Sequence, residues 1–235
     1  MTIRTKEEQV AEFLREEIIA GRFARGERLK QLEIAALLDI SATPVREALR
    51  LLEAEGYVLS MSHRGMVVAP FDVAASSEIV ELRVLLEGRL ALAATDRIER
   101  ADLDGLLASH DTFLSAVDGG DRHEIRALNY QFHRQLYGFA GQPQTWRFVQ
   151  MLWAKYPFDL INLIDGRPSR AVAEHSDILE GMLAGDRIAV AAAVRQHVTY
   201  GWQELQTALE NEAISVTGAV EAYNANALQG EVSQA

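Results

Sequence analysis

Apolar residues recur every three or four positions along most of the chain, which is the spacing of amphipathic helices. In the first segment, Thr5 and Glu8 form a T-x-x-E capping box that marks a helix start. The residues that follow place four apolar side chains on one helical face: Val10, Phe13, Leu14 and Ile18. Two shorter helical patterns come next, at about 32–38 and 44–55, so three helices are predicted before Gly56.

After Gly56 the helical spacing gives way to two short β-prone runs. These runs, Tyr57–Met61 and Met66–Ala69, are joined by Ser62–Gly65, and this arrangement is typical of a β-hairpin. Three helices followed by a hairpin predict an N-terminal winged helix-turn-helix domain over residues 1–71.

No strand pattern occurs beyond Asp72, where every periodic segment has helical spacing. The helical patterns cover six segments, at about 73–94, 100–118, 121–140, 143–164, 170–184 and 187–210. They predict an all-α domain over residues 72–210, which makes the whole fold mainly α. Residues 211–235 are small and polar with little periodicity, so we expect a flexible C-terminal tail there.

The composition is that of an ordinary globular protein, with 49% hydrophobic and 24% charged residues in a chain of 235. The N-terminus is polar and no apolar run approaches the roughly 20 residues of a membrane span, so we expect a cytoplasmic protein with no membrane partner. The absence of cysteine excludes disulfides and thiolate metal sites.

The net charge of −11 argues against nucleic acid, but residues 1–70 hold ten basic against eleven acidic side chains. This near-neutral third permits a local basic face for phosphates.

A tight turn, DISAT, separates the second and third helical patterns, with Thr43 as the expected N-cap and Pro44 in the first helical position. The second helix of such a pair presents its first turns to base edges, and the wing touches the flanking backbone. Arg46 and Arg50 lie one turn apart there and can reach guanine or phosphate. Further candidate contacts come from the turn and the hairpin tip: Ser41, Thr43, His63, Arg64 and Gly65. The alternative is a small helical domain whose arginines are merely solvated.

Three histidines lie on the apolar faces of predicted helices: His133, His175 and His197. Asn129 precedes His133 by four residues and shares its face. A helix rises about 15 Å from His175 to Gly185 and about 16.5 Å from Asp186 to His197, so a turn at Gly185 brings these two imidazoles level. Three imidazoles and an amide oxygen suit a divalent metal ion, zinc first, with nickel, iron or manganese as alternatives. Taken singly, each histidine is more often a packed core residue.

Arg83 interrupts an apolar stripe formed by Ile79, Leu86, Leu90 and Ala93. An ion pair with Glu87, four residues further on, would account for this arginine structurally. Alternatively, Arg83 lines a cavity and binds the carboxylate of a ligand with its forked guanidinium. The residues alone leave both interpretations open.

The stretch SATPVREALRLLEAEGYV, followed by HRGMVVAP, closely resembles the winged-helix signature of the GntR family of bacterial repressors. The resemblance implies DNA or phosphate contacts at six positions: Ser41, Thr43, Arg46, Arg50, Arg64 and Gly65. Arg28 and Glu33 match the family positions that precede and open the second helix. Ala42 stands where the family commonly has arginine, so the resemblance implies one contact fewer and a different operator preference.

The segments ELRVLLEGRLALAA, NYQFHRQLY and EHSDILEGMLAGDRIAVAAAVRQHV resemble the FCD ligand-binding domain of FadR-type GntR regulators. This resemblance spans residues 77–210 and implies an antiparallel helical bundle around a pocket. It implies a divalent metal held by one Asp or Asn and three histidines, which map onto Asn129, His133, His175 and His197. It also implies that Arg83 helps to bind a carboxylate effector. Because Asn129 stands where Asp is commoner, the site carries one negative charge less.

Three functions compete for this sequence: a ligand-responsive regulator, a metal-dependent hydrolase and a helical interaction module. A hydrolase needs a general base beside its metal. Glu174 is the nearest candidate, but it lies about 100° round the helix from His175 and is expected to face away. The interaction module needs neither the TPVREAL turn nor the HRG wing. We therefore expect a transcription repressor rather than an enzyme, binding double-stranded operator DNA as a homodimer and responding to a small carboxylate effector.

Overall fold

The computed structural model describes residues 5–161 and 163–211, which form a mainly helical fold with one two-stranded sheet. The N-terminal part contains three helices and the two strands: α1 Lys6–Ile19, α2 Gln31–Leu37, α3 Ala42–Glu55, β1 Val58–Met61 and β2 Gly65–Val68. The C-terminal part contains helices only: α4 Ser76–Thr95, α5 Arg100–Gly119, α6 Arg122–Gly138, α7 Pro143–Lys155, α8 Phe158–Ile161, α9 Arg167–Ala184 and α10 Arg187–Glu210. The predicted fold class, a winged helix-turn-helix followed by a helical domain, is confirmed. Of the tail predicted at 211–235, residues 212–235 lie outside the described residues.

The winged helix forms as its sequence pattern predicts. The capping box of α1 is present, because Thr5 Oγ1 accepts from the Glu8 backbone at 3.3 Å and the Thr5 backbone donates to Glu8 Oε2 at 3.0 Å. Helices α1 and α2 both pack against α3. The antiparallel strands pair Val58 with Val68 and Met61 with Gly65. Arg28 adds a short bridge to Val67, so the loop before α2 lies beside the wing.

The start of α3 differs from the predicted one. Ser41 is the N-cap and the helix begins at Ala42, so the expected N-cap at Thr43 and the first helical position at Pro44 are wrong. Proline fits anywhere in the first turn, because backbone N–H groups there have no acceptor within the helix. Pro44 therefore does not fix where the helix starts.

The segment predicted as one helix over 143–164 consists of two helices. Helix α7 ends at Lys155 and α8 begins at Phe158, so this prediction is wrong. Pro157 accounts for the break, because its ring excludes a helical backbone at the residue before it and it lacks an N–H. Tyr156 accordingly has an extended backbone, with φ −90° and ψ 137°. Residues 156–159 form what we call the α7–α8 elbow.

Helices α9 and α10 approach each other closely next to the Gly185 turn. A Cβ atom on Gly181 would lie 2.8 Å from Val190 Cγ2, so only glycine allows this approach. Gly185 itself has φ +67° and ends α9 in the left-handed conformation that favours glycine. The short connection at Gly185 and the close approach at Gly181 fix how far along its axis α9 lies relative to α10.

The winged helix and the helical domain share one continuous cluster of buried apolar residues. Polar contacts reinforce this cluster where α1 meets α6: Glu12 accepts from Tyr130 Oη at 3.0 Å and from Arg134 Nη1 at 2.9 Å. At the end of α1, the carbonyl of Ala20 accepts from Arg126 Nε at 2.7 Å. Among the described residues, no helix is both long and apolar enough to cross a lipid bilayer.

Candidate nucleic-acid interface and metal centre

The first turns of α3 carry four exposed polar side chains: Ser41, Thr43, Arg46 and Arg50. The Ser41 hydroxyl makes no capping hydrogen bond within the part of the chain that the structure describes. The side chains of Arg46 and Arg50 are 53% and 65% exposed. This end of the helix therefore presents hydroxyl and guanidinium donors to solvent.

Glu47 forms ion pairs with both arginines of this helix. Its carboxylate accepts from Arg46 Nε at 3.1 Å and from Arg50 Nη1 at 3.3 Å. The hydrogen bond from Arg46 lowers the pKa of Glu47, so the group stays charged. Because exposed ion pairs contribute little free energy, phosphates can replace Glu47 as the partner of both arginines.

The wing tip brings the remaining predicted nucleic-acid contacts together. His63 has φ 62° and Gly65 has φ 74°, and both lie exposed with Arg64 between them. Arg28 Nε lies 3.9 Å from the point where a Cβ of Gly65 would be, so its guanidinium adjoins the wing. The structure thus places all the predicted contact residues on α3, on the wing or beside it.

Three imidazole rings converge inside the helical domain, one from each of α6, α9 and α10. The Nε2 atom of His133 lies 3.1 Å from His197 Nε2 and 3.1 Å from His175 Nε2. Zinc–nitrogen bonds of about 2.05 Å in tetrahedral geometry separate two ligand nitrogens by about 3.3 Å. His175 and His197 lie level, as predicted, and the ligand nitrogens of all three histidines lie within 4.8 Å of one another. The two pairs that include His133 have a spacing close to that of zinc ligands.

The hydrogen-bond network assigns the protons of two of these rings. His197 Nδ1 donates to Glu174 Oε2 at 2.7 Å, which leaves the lone pair on Nε2. Tyr137 donates its hydroxyl proton to Glu87 at 2.8 Å, so its oxygen presents a lone pair to His133 Nδ1 at 3.5 Å. His133 and His197 thus direct Nε2 lone pairs at each other. A cation between them stabilises such an arrangement.

Burial lowers the pKa of His133, His175 and His197, and the neighbouring charged groups act in the same direction for the first two. Neutral imidazole is the form that binds metals. Burial raises the pKa of Glu174, but the hydrogen bonds from His197 and Arg167 outweigh it and lower the value to about 2. A charged carboxylate on the outer nitrogen of a histidine is a common partner of metal-binding imidazoles.

The expectation that Glu174 faces away from the site is wrong. Helix α10 packs against α9 on that side, so a residue 100° round α9 from His175 meets His197 instead of solvent. Its two carboxylate oxygens also accept from Arg167 at 2.6 and 2.7 Å. Because Glu174 contacts the outer nitrogen of His197, it has no access to the point where the Nε2 atoms converge.

A small cavity of about 30 Å³ adjoins His197 and connects it with the other predicted site residues. Arg83, Asn129 and His197 line it together with Arg167. Asn129 is half-buried there, and its role as a fourth ligand stays a prediction. The structure therefore brings the proposed anion-binding arginine and the proposed oxygen ligand to one wall.

Both interpretations of Arg83 fit the structure. Its Nε donates to Glu87 Oε1 at 2.7 Å, while its guanidinium lies 4.0 Å above the ring centre of Tyr156 at the cavity. Burial opposes the charge of Arg83, but Glu87 outweighs it and the pKa is raised. Arg83 is therefore a fixed positive charge beside the histidines.

Arg167 is a second buried arginine at this cavity that the sequence analysis missed. Its side chain is 4% exposed and is held by Glu174. The spacing of seven residues, two helical turns, is the sequence signal that could have indicated this pair. With Arg83 it makes the cavity suited to an anion.

Comparison with known proteins decides the family. The model of the bacterial regulatory proteins of the gntR family matches residues 6–68, and that of the FCD domain matches residues 78–200. The chain belongs to the GntR family. It is a transcriptional regulator with a DNA-binding GntR domain and an FCD domain of the FadR type.

Two relatives of this GntR regulator are named as transcriptional regulators. It is 31% identical to the "Probable D-xylose utilization operon transcriptional repressor" of Paenarthrobacter nicotinovorans over 84% of this chain and 88% of that one. It is 27% identical to the "Nta operon transcriptional regulator" of Aminobacter aminovorans over 60% and 66% of the two chains. The fold is similar to that of E. coli McbR/YncC, with TM-score 0.76, 22% identity and coverage of 87% and 99%. These relatives are regulators, so the hydrolase is not supported.

Replacing the exposed arginine of the first turns tests the nucleic-acid interface. We expect Arg46→Ala to weaken operator binding by about 1–3 kcal/mol, or roughly 5- to 150-fold, because a base or phosphate contact is lost. The measurement is fluorescence anisotropy with a duplex selected from a random library. Arg100→Ala removes a similarly exposed, acid-paired arginine from α5 and should leave the affinity unchanged. Equal affinities for wild type and Arg46→Ala would contradict the assignment.

The stability of the metal-free protein should depend on pH through its buried histidines. Below a pH of about 6.5 the unfolded chain binds protons on histidines that stay neutral when folded, so acidification favours unfolding. Each such histidine contributes up to about 1.4 kcal/mol per pH unit. We expect the urea midpoint in EDTA to fall between about pH 7.5 and 5.5. His175→Phe should make the urea midpoint less dependent on pH. A wild-type midpoint that does not change with pH would contradict this prediction.

Proposed function

We propose that this GntR regulator is a metal-containing repressor that acts as a homodimer and responds to a small carboxylate effector. The observation that carries the proposal is the close approach of the buried Nε2 atoms of His133 and His197, 3.1 Å apart. In this proposal residues 1–71 bind DNA and residues 72–210 bind the metal and effector. The relative from Paenarthrobacter nicotinovorans is named a probable repressor, which supports the same sign of regulation here.

The metal ligands in this proposal are His133, His175 and His197, with the side-chain oxygen of Asn129 as the fourth. Three neutral nitrogens and one oxygen suit zinc, and nickel, iron or manganese accept the same set. A bound ion would supply Lewis-acid chemistry for a carboxylate oxygen of the effector. Arg83 and Arg167, which line the adjoining cavity, would add fixed positive charge for the same carboxylate.

The effector has to enlarge its cavity in order to bind. A volume of about 30 Å³ holds roughly one water molecule, which is less than any carboxylate metabolite needs. Tyr156 and Phe158, whose rings lie 4.0 and 5.2 Å from the Arg83 guanidinium, form one wall. Both rings belong to the α7–α8 elbow, so enlargement on this side displaces the elbow.

Arg25 connects this elbow to the winged helix. Its guanidinium donates to Asp159 Oδ1 at 2.9 Å and to the Tyr156 carbonyl at 2.8 Å. The same group donates to the Ala69 carbonyl, just after the wing, at 3.2 Å. A displaced elbow therefore loses its contacts with Arg25 and releases the loop between α1 and α2. Effector binding in this way shifts the population between a docked and an undocked winged helix.

The DNA-binding residues of the proposal are those on α3, on the wing and beside it: Arg28, Ser41, Thr43, Arg46, Arg50, His63, Arg64 and Gly65. In a homodimer, two such surfaces meet half-sites about one helical turn apart on a two-fold operator. A change in the docking of either winged helix alters that spacing. Effector binding thereby weakens operator affinity.

Removing two histidines tests the metal site. We expect wild-type protein to retain one zinc ion per chain after dialysis and His133→Ala combined with His175→Ala to retain none, because one imidazole cannot hold the ion. Metal content is measured by inductively coupled plasma mass spectrometry. His63→Ala, on the exposed wing, is the control and should keep its metal. Undiminished metal in the double variant would exclude this ligand set.

Removing the Arg25 contacts tests the route between the two domains. We expect Arg25→Ala to bring the ratio of operator affinities with and without effector close to one, while zinc content stays at the wild-type level. The probe is a carboxylate identified by thermal shift from a panel of mono- and dicarboxylates in the presence of zinc. Arg22→Ala is the matched control, because Arg22 is exposed and pairs only with Glu17 among the described residues. A full effector response in Arg25→Ala would exclude the route.

A further inference from the structure

We propose that His110 is a positioning residue for the metal site and accepts a hydrogen bond from the outer nitrogen of His175. This inference rests on the metal site of the proposed function. His110 lies on α5, a helix without any of the proposed metal ligands, and its ring meets that of His175 edge-on, with 6.0 Å between ring centroids. Neither Nδ1 atom of these two rings has a hydrogen-bond partner among residues 5–161 and 163–211.

The proton of His175 belongs on Nδ1. Its Nε2 atom lies at the convergence point, 3.1 Å from His133 Nε2, and a metal ligand needs the lone pair there. The Nδ1 atom on the other side is buried, and the imidazole packs against Phe132, stacked at 4.3 Å, and Phe113, at 5.0 Å. An N–H donor buried in such surroundings without an acceptor costs free energy.

The proton of His110 belongs on Nε2. Ser176 donates its hydroxyl proton to the Val172 carbonyl at 3.0 Å, so its oxygen can only accept from His110 Nε2 at 3.2 Å. This contact leaves the lone pair of His110 on Nδ1. The unpartnered donor of His175 and the unpartnered acceptor of His110 are therefore complementary.

The distance between the rings allows this pairing. A direct N–H···N hydrogen bond between two imidazoles brings their centroids to about 5 Å, which is about 1 Å closer than in the structure. A small shift of α5 toward α9 closes that difference. His175 then has a fixed tautomer and ring orientation, as outer partners of metal-binding histidines provide.

The test compares zinc affinity in three full-length proteins by competition with a fluorescent chelator. We expect His110→Leu, which has no acceptor, to bind zinc about 10- to 100-fold more weakly than wild type. His110→Gln keeps an acceptor oxygen and should recover most of the affinity, which a purely structural role for the ring would not produce. Far-UV circular dichroism of the metal-free proteins checks the fold.

A second measurement needs no variant. Long-range proton–nitrogen NMR of the zinc-loaded wild type should show the proton of His110 on Nε2 and that of His175 on Nδ1. Wild-type protein that fails to bind zinc would overturn the metal site itself. Zinc affinity equal to wild type in His110→Leu, or the opposite tautomer of His110, would overturn this inference while leaving the metal site intact.

Discussion

Three histidines bring their Nε2 atoms together inside the helical domain: His133, His175 and His197. Burying nitrogen lone pairs costs free energy unless they bind a hydrogen-bond donor or a cation. This cluster of imidazoles constrains the charged residues around it. Glu174 has to hold the outer nitrogen of His197, and Arg167 has to keep that carboxylate charged. In the proposed function, a metal ion at the convergence point would turn this local cost into a contact that joins α6, α9 and α10.

A second set of constraints comes from buried charged side chains and not from the proposed metal site. Glu87 is buried and satisfies three donors, from Arg83, Tyr137 and Trp153. Arg83 in turn supports the ring of Tyr156, so a single carboxylate connects the outer partner of His133 to the α7–α8 elbow. Displacing Arg83 or Glu87 alone would leave a buried charge unpaired, so the network resists separate movement of these two residues.

The sequence predicts what depends on helix geometry and misses what depends on how helices cross. The level of His175 with His197 follows from the fixed rise per residue and from Gly185, and it is correct. The contact of Glu174 with His197 depends on which side of α9 meets α10, which no single-helix pattern contains. The break at Pro157 has a local signal, because proline is disfavoured inside a helix. The apolar periodicity continues across it, and on its own it predicts one unbroken helix. His110 could not be found, since its partner lies on another helix.

The size of the effector cavity bears on how such a regulator couples binding to DNA release. A ligand that binds two conformations equally well shifts no equilibrium between them. In the proposed function, a carboxylate effector that needs more room than the cavity of about 30 Å³ displaces part of its wall and therefore favours one conformation. Part of that wall consists of Tyr156 and Phe158, and the backbone of Tyr156 is what Arg25 holds. In the proposed function, part of the free energy of effector binding is therefore spent on breaking the contacts of Arg25 with the elbow, which undocks the winged helix.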